Sequence, residues 1–139
     1  MTHRNRIALI VPALAAALAL GAAVQHPSVL AQAMPGSWEV RGVPGKGPVR
    51  ECVADLTLFA HYEHRHADCS LGVTREAGDS AVIDYSCRDG DFGHSKLTRI
   101  TPRALRIETQ GISDNLPFSY VLQAHRVGDC PAAANLARH

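Results

Sequence analysis

Four cysteines, Cys52, Cys69, Cys87 and Cys130, all lie downstream of an apolar leader, and this ordering constrains the fold more than any other feature. A chain carrying such a leader is exported to an oxidising compartment, where paired cysteines become covalent structure. The leader opens with Arg4 and Arg6 and no acid. It continues as an apolar run from Ile7 to Val24, broken only by Pro12 and Gly21, and closes with Ala31-Gln32-Ala33. An A-x-A triplet of small residues is a cleavage signature. Residues 1–33 therefore read as a signal peptide, helical along its apolar run and cut between Ala33 and Met34. The competing reading is an uncleaved anchor. Its apolar run only reaches the lower limit for a span, about 17–25 residues, and Pro12 and the small-residue site argue against it.

Removing 33 of the 139 residues leaves 106, which suits one domain, small enough for staples to add usefully to its stability. The leader accounts for two of the 14 basic residues, so 12 face 13 acids and the mature net charge is −1. No basic stripe points to nucleic acid, and no second apolar run points to a membrane span after cleavage. The organisation expected is a disulfide-stapled domain over 34–130 and a flexible Ala-rich tail over 131–139, in the periplasm or secreted.

The mature chain reads mainly as strand. Trp38 to Arg41 alternates apolar and polar residues, and a loop rich in glycine and proline, Gly42 to Pro48, leads to a partner strand from Val49 to Cys52. Val53 to His64 is the one segment with helical spacing, through Leu56, Phe59 and Ala60. Cys69 to Arg75 and Ala81 to Cys87 alternate on either side of Glu76 to Ser80, a hairpin connection. Arg88 to Gly93 reads as turn. Lys96 to Thr101 and Ala104 to Thr109 flank a turn at Pro102. Gly111 to Pro117 reads as loop, and Phe118 to Val127 as the last strand, with Phe118, Tyr120 and Leu122 on one core-facing side. Trp38 reads as a core anchor. The fold class expected is a single small antiparallel β-sheet domain, a meander or half-barrel, with one short helix near its start.

Four cysteines allow three pairings. If the hairpin turns about Gly78, Cys69 faces Cys87, Leu71 faces Tyr85 and Val73 faces Ile83, so one face is apolar along its length. Direct cross-strand neighbours lie within reach of a disulfide, and a slip of one residue would turn the apolar set outward. This register favours Cys69–Cys87, which leaves Cys52–Cys130. The alternative is Cys52–Cys69 with Cys87–Cys130. The chain has no C-x-x-C, the spacing that redox and zinc-ribbon sites use.

Pro35-Gly36-Ser37-Trp38-Glu39, directly after the A-x-A triplet, resembles the opening of an uncharacterised family of small exported proteobacterial proteins with a domain of unknown function. Members run from a P-G-x-W-E start, through a first cysteine and a hairpin between paired middle cysteines, to a cysteine near the C-terminus. Cys52, Cys69, Cys87 and Gly128-Asp129-Cys130 match in order. The resemblance implies export and disulfides. It assigns no catalytic residue.

The densest set of candidate ligands is His61, His64 and His66, interleaved with Tyr62, Glu63 and Arg65 and followed by Asp68. Imidazole and carboxylate suit zinc, copper or nickel. The three histidines converge only if the chain changes conformation near Glu63, and the plainer reading is a solvated helix end. Asp89-Gly90-Asp91-Phe92-Gly93-His94 lacks the ligand spacing of a calcium loop and reads as a turn. The chain has no G-x-S-x-G, P-loop or G-x-G-x-x-G. The leading expectation is an exported β domain that binds a small molecule or protein, or scaffolds, without catalysis and without a cofactor. The alternatives are a metal-binding protein using His61, His64 and His66, and an enzyme whose site assembles only in the fold.

Overall fold

The computed structural model describes residues 27–132. Seven antiparallel strands form one open sheet. They are β1 (Gly36–Arg41), β2 (Val49–Val53), β3 (Cys69–Ala77), β4 (Ser80–Cys87), β5 (Phe92–Thr101), β6 (Ala104–Ser113) and β7 (Leu116–Gly128), in the spatial order β2-β1-β7-β6-β5-β4-β3. From β3 to β7 each strand pairs with its sequence neighbour, as short connections favour. β1 then closes onto β7, pairing Val40 with Ala124, and carries β2 to the outer edge.

Alternation puts one side chain in two on the inner face of the sheet. Trp38, Val40, Ile83, Leu97, Ile107, Leu122 and Ala124 occupy that face and are fully buried. A 3₁₀-helix, Leu56–His64, lies across it and adds Phe59 and Tyr62 to the core. The Phe59 ring meets Trp38 edge-on at 5.3 Å and stacks on Tyr62 at 6.2 Å. Asp55 caps the helix by accepting from the Thr57 amide. The helix expected from the spacing is thus present, but wound as 3₁₀. It is also broken at His61, whose backbone (φ −135°, ψ 44°) is not helical.

The hairpin register is the one the apolar pattern selects. Cys69 pairs with Cys87, Leu71 with Tyr85 and Val73 with Ile83. Nearer the turn a bulge shifts the pairing by one, so that Arg75 faces Val82 and the connection tightens to Gly78-Asp79. Gly78 takes φ +57°, a conformation glycine adopts without strain. The disulfides are Cys69–Cys87 and Cys52–Cys130, and they fit an oxidising extracellular compartment. Among the described residues no helix is long and apolar enough to cross a membrane.

Two expectations are corrected. Phe92 to Ser95 is strand, since β5 begins four residues before Lys96. Gly111 to Pro117 is not a loop: β6 runs to Ser113, and β7 returns from Leu116 through the two-residue turn Asp114-Asn115. Both turn residues have positive φ, 50° and 63°, as tight hairpins demand and as Asp and Asn tolerate. Pro117 is accommodated because β1 pairs only with the far half of β7, so this stretch has a free flank.

The expected leader and tail fall largely outside the described residues, at 1–26 and 133–139. Pro27 to Ala33 does not. A short helix, α1 (Ser28–Ala31), packs Val29 and Leu30 into the same core as Trp38 and Phe59, and Ala33 follows them in.

Candidate functional site

His61-Tyr62-Glu63-His64-Arg65 ends the 3₁₀-helix, and four of these side chains fasten that end to the sheet. Tyr62 donates to Glu51 on β2 at 2.9 Å. Arg65 lies over the Tyr62 ring, 4.5 Å from its centre, with Nε 3.0 Å from the same Glu51 carboxylate. Tyr120 on β7 donates to Glu63 at 2.6 Å. His64 turns inward toward β4 and is 7 % exposed. His61 stays half-buried, its Nδ1–H donating to the Thr57 carbonyl at 3.1 Å. Burial pushes the His61 imidazole below the ordinary histidine range, and the Thr57 bond only partly opposes this.

His64 has an unusual seat. Its ring lies between Tyr85 and Phe118, edge-on to both at 5.6 and 5.7 Å. Tyr85, Gly93, Gly111 and Phe118 are paired in one row across β4, β5, β6 and β7. The two glycines leave the middle of that row without side chains, and the neighbouring rings lean into the gap. A Cβ on Gly93 would strike the Tyr85 ring, and one on Gly111 would strike the β5 backbone.

A directed chain of polar groups runs through this seat. Ser95 donates to Thr109 at 2.9 Å, Thr109 bonds the Tyr85 phenol, and the phenol meets His64 Nδ1 at 3.2 Å. With Nδ1 accepting, Nε2 carries the ring proton. It lies 3.2 Å from Asp91 Oδ2, off the line of a hydrogen bond. Asp91 also takes the Asp114 amide at 3.2 Å, which ties the β4–β5 turn to the β6–β7 turn. Burial pushes the Tyr85 phenol up to about 12, partly opposed by its bond from Thr109. Ser95, His64 and Asp91 therefore share one network, but Tyr85 and Thr109 stand between the serine and the imidazole. A nucleophile and its base must touch.

The three histidines do not converge. His64 is buried against Tyr85, His61 meets the same ring edge-on at 6.1 Å, and His66 is exposed. Asp68 is engaged with Arg88 at 2.9 Å. Among the described residues no group of three or more His, Cys, Asp or Glu side chains could hold a metal ion. Within the Asp89 to His94 motif, Asp89 accepts from the Asp91 amide and so holds the turn.

On the outer face behind the glycine row lies an open cleft of about 590 Å³. Phe92 and Ile112 form its apolar wall, and the strand backbone at Gly93 and Gly111 forms its floor. Asp84, His94 and Gln110 provide its polar groups. Phe92 is 51 % exposed. His94 Nδ1 contacts Asp84 Oδ1 at 2.5 Å across β4 and β5. In the sequence Phe92, Gly93 and His94 read only as turn, within a motif that falls short of a calcium loop, and Asp84, Gln110 and Ile112 do not stand out as binding groups. The signal that could have found them is the pairing of Gly93 with Gly111, which becomes visible only once the β5–β6 register is known.

Comparison with family models, curated proteins and solved structures finds no match to this chain.

Proposed function

We propose that this chain is an exported, non-catalytic binding domain whose ligand is a small amphipathic molecule seated in the cleft over Gly93 and Gly111. The observation that carries this reading is the exposed Phe92 ring beside a cleft of about 590 Å³ with an apolar wall and a few polar groups at its rim. Small-molecule sites have this make-up and measure roughly 300–1,000 Å³. Asp84, His94 and Gln110 would orient the polar end of the ligand, and Phe92 and Ile112 would take its apolar body. The charged leader, the two disulfides and the resemblance of Pro35 to Glu39 to exported proteins support a periplasmic location.

An anilinonaphthalene sulfonate dye tests the site, being amphipathic and fluorescent only when shielded from water. Saturable binding at one dye per folded chain is expected. Phe92→Asp should weaken it at least tenfold while leaving the melting temperature unchanged. A flat titration, or equal binding by Phe92→Asp, overturns the proposal.

A further inference from the structure

We propose that the leader is cut between Ala23 and Val24, ten residues before the bond that follows the A-x-A triplet, so that Pro27 to Ala33 stays with the mature protein as the first element of the fold. Two independent observations support this. The first is packing. The Pro27 side chain is fully buried, and Val29, Leu30 and Ala33 are 2, 5 and 8 % exposed within the same core as Trp38 and Phe59. The segment is also tied by its backbone. The Ser28 amide donates to Glu76 Oε1 at 2.6 Å, beside the β3–β4 turn, and the Met34 amide donates to the Pro102 carbonyl at 3.0 Å, in the β5–β6 turn. Trp38 in turn donates its indole N–H to the Met34 carbonyl at 3.1 Å. A cut after Ala33 would remove four buried apolar side chains from one end of the core. It would also replace the Met34 amide by a charged amine.

The second observation is the arithmetic of the leader. Cleaved leaders run to about 15–30 residues with an apolar stretch of about 7–15. A cut after Ala33 requires an overlong apolar run, Ile7 to Val24, and falls nine residues beyond its end. Gly21-Ala22-Ala23 offers small residues at the same two specificity positions. A cut there closes an apolar stretch, Ile7 to Leu20, that falls within the range. The reaction is hydrolysis of the Ala23–Val24 amide by a leader peptidase. Water supplies hydroxyl to the Ala23 carbonyl carbon and a proton to the Val24 nitrogen. Cleavage precedes folding, so the buried triplet is not shielded by the fold; it is passed over in favour of the site at the end of the apolar run.

The inference rests on the export reading above, and intact mass spectrometry of the exported full-length chain separates the two. A mature protein beginning at Val24 is expected. A protein beginning at Met34 overturns the inference and leaves export standing, whereas a chain that keeps its leader overturns both. Ala23→Leu should block processing, while Ala33→Leu should leave the cut in place. The reverse pattern also overturns the inference. It can be read from mass alone, whether or not the variants fold.

Discussion

Tyr85 has two neighbours that set its chemistry, the Thr109 hydroxyl and the His64 ring, and both face it inside the fold. The chain has three tyrosines, and burial raises the phenol of each. Tyr62 and Tyr120 are held further up by donating to the Glu51 and Glu63 carboxylates. An unfolded phenol ionises near pH 10. The folded chain binds these protons more tightly, so their contribution to stability is complete below about pH 10 and is lost as pH rises through the Tyr85 value of about 12. Ultraviolet titration should show no tyrosinate step near pH 10 in the native protein, only one cooperative step that coincides with unfolding. A separate step near pH 10 would count against the packing. His61 works at the other end of the scale. Burial lowers its folded value, so its contribution is complete above about pH 6.5 and lost as pH falls below it. His61→Gln should flatten the acid limb of a melting-temperature profile. Gly93→Ala tests the seat of His64 by driving a methyl group into the Tyr85 ring. Overpacking of this kind costs about 1–3 kcal/mol, a loss that urea titration can measure.

Among the elements, the β3–β4 hairpin was the most legible. Alternation of Leu71 and Val73 against Ile83 and Tyr85 requires one register, and that register places Cys69 opposite Cys87. The bulge near Thr74 was not legible, because one unpaired residue changes the alternation only locally. The start of β5 was hidden by Gly90 and Gly93, and the β6–β7 hairpin by Gly111 and Pro117, all residues that ordinarily interrupt strands. Here Gly93 and Gly111 are strand residues because the neighbouring Tyr85 and Phe118 rings fill their missing side-chain volume. That hidden register is also why the cleft escaped notice, since its floor exists only when Gly93 faces Gly111. The 61–66 cluster was legible as a concentration of polar chemistry, but its use as a clamp was not. Which strand each side chain reaches depends on the break at His61. The β6–β7 turn gives an element-scale test. Asn115 at φ 63° should be replaceable by glycine at little cost, whereas Asn115→Ala should lose about 1 kcal/mol in chemical denaturation.

For the whole molecule, the two disulfides differ in reach. Cys52–Cys130 spans 78 residues of sequence, and Cys69–Cys87 spans 18. In the chain-entropy description the longer closure restrains the unfolded chain more, by about 1.3 kcal/mol. The double variant Cys52→Ala/Cys130→Ala should accordingly lose more stability than Cys69→Ala/Cys87→Ala, as measured by matched denaturant titrations. The spatial order adds a second consequence. The outermost strands are β2 and β3, and each carries one of the bonded cysteines, Cys52 and Cys69. Exchange of a strand between two copies of a protein requires an edge to peel away and leave its place open. With both edges covalently anchored, that route is closed at either margin of the sheet. The oxidised chain can meet its own kind at high concentration without trading strands, a protection that a reductant would remove from both sides at once.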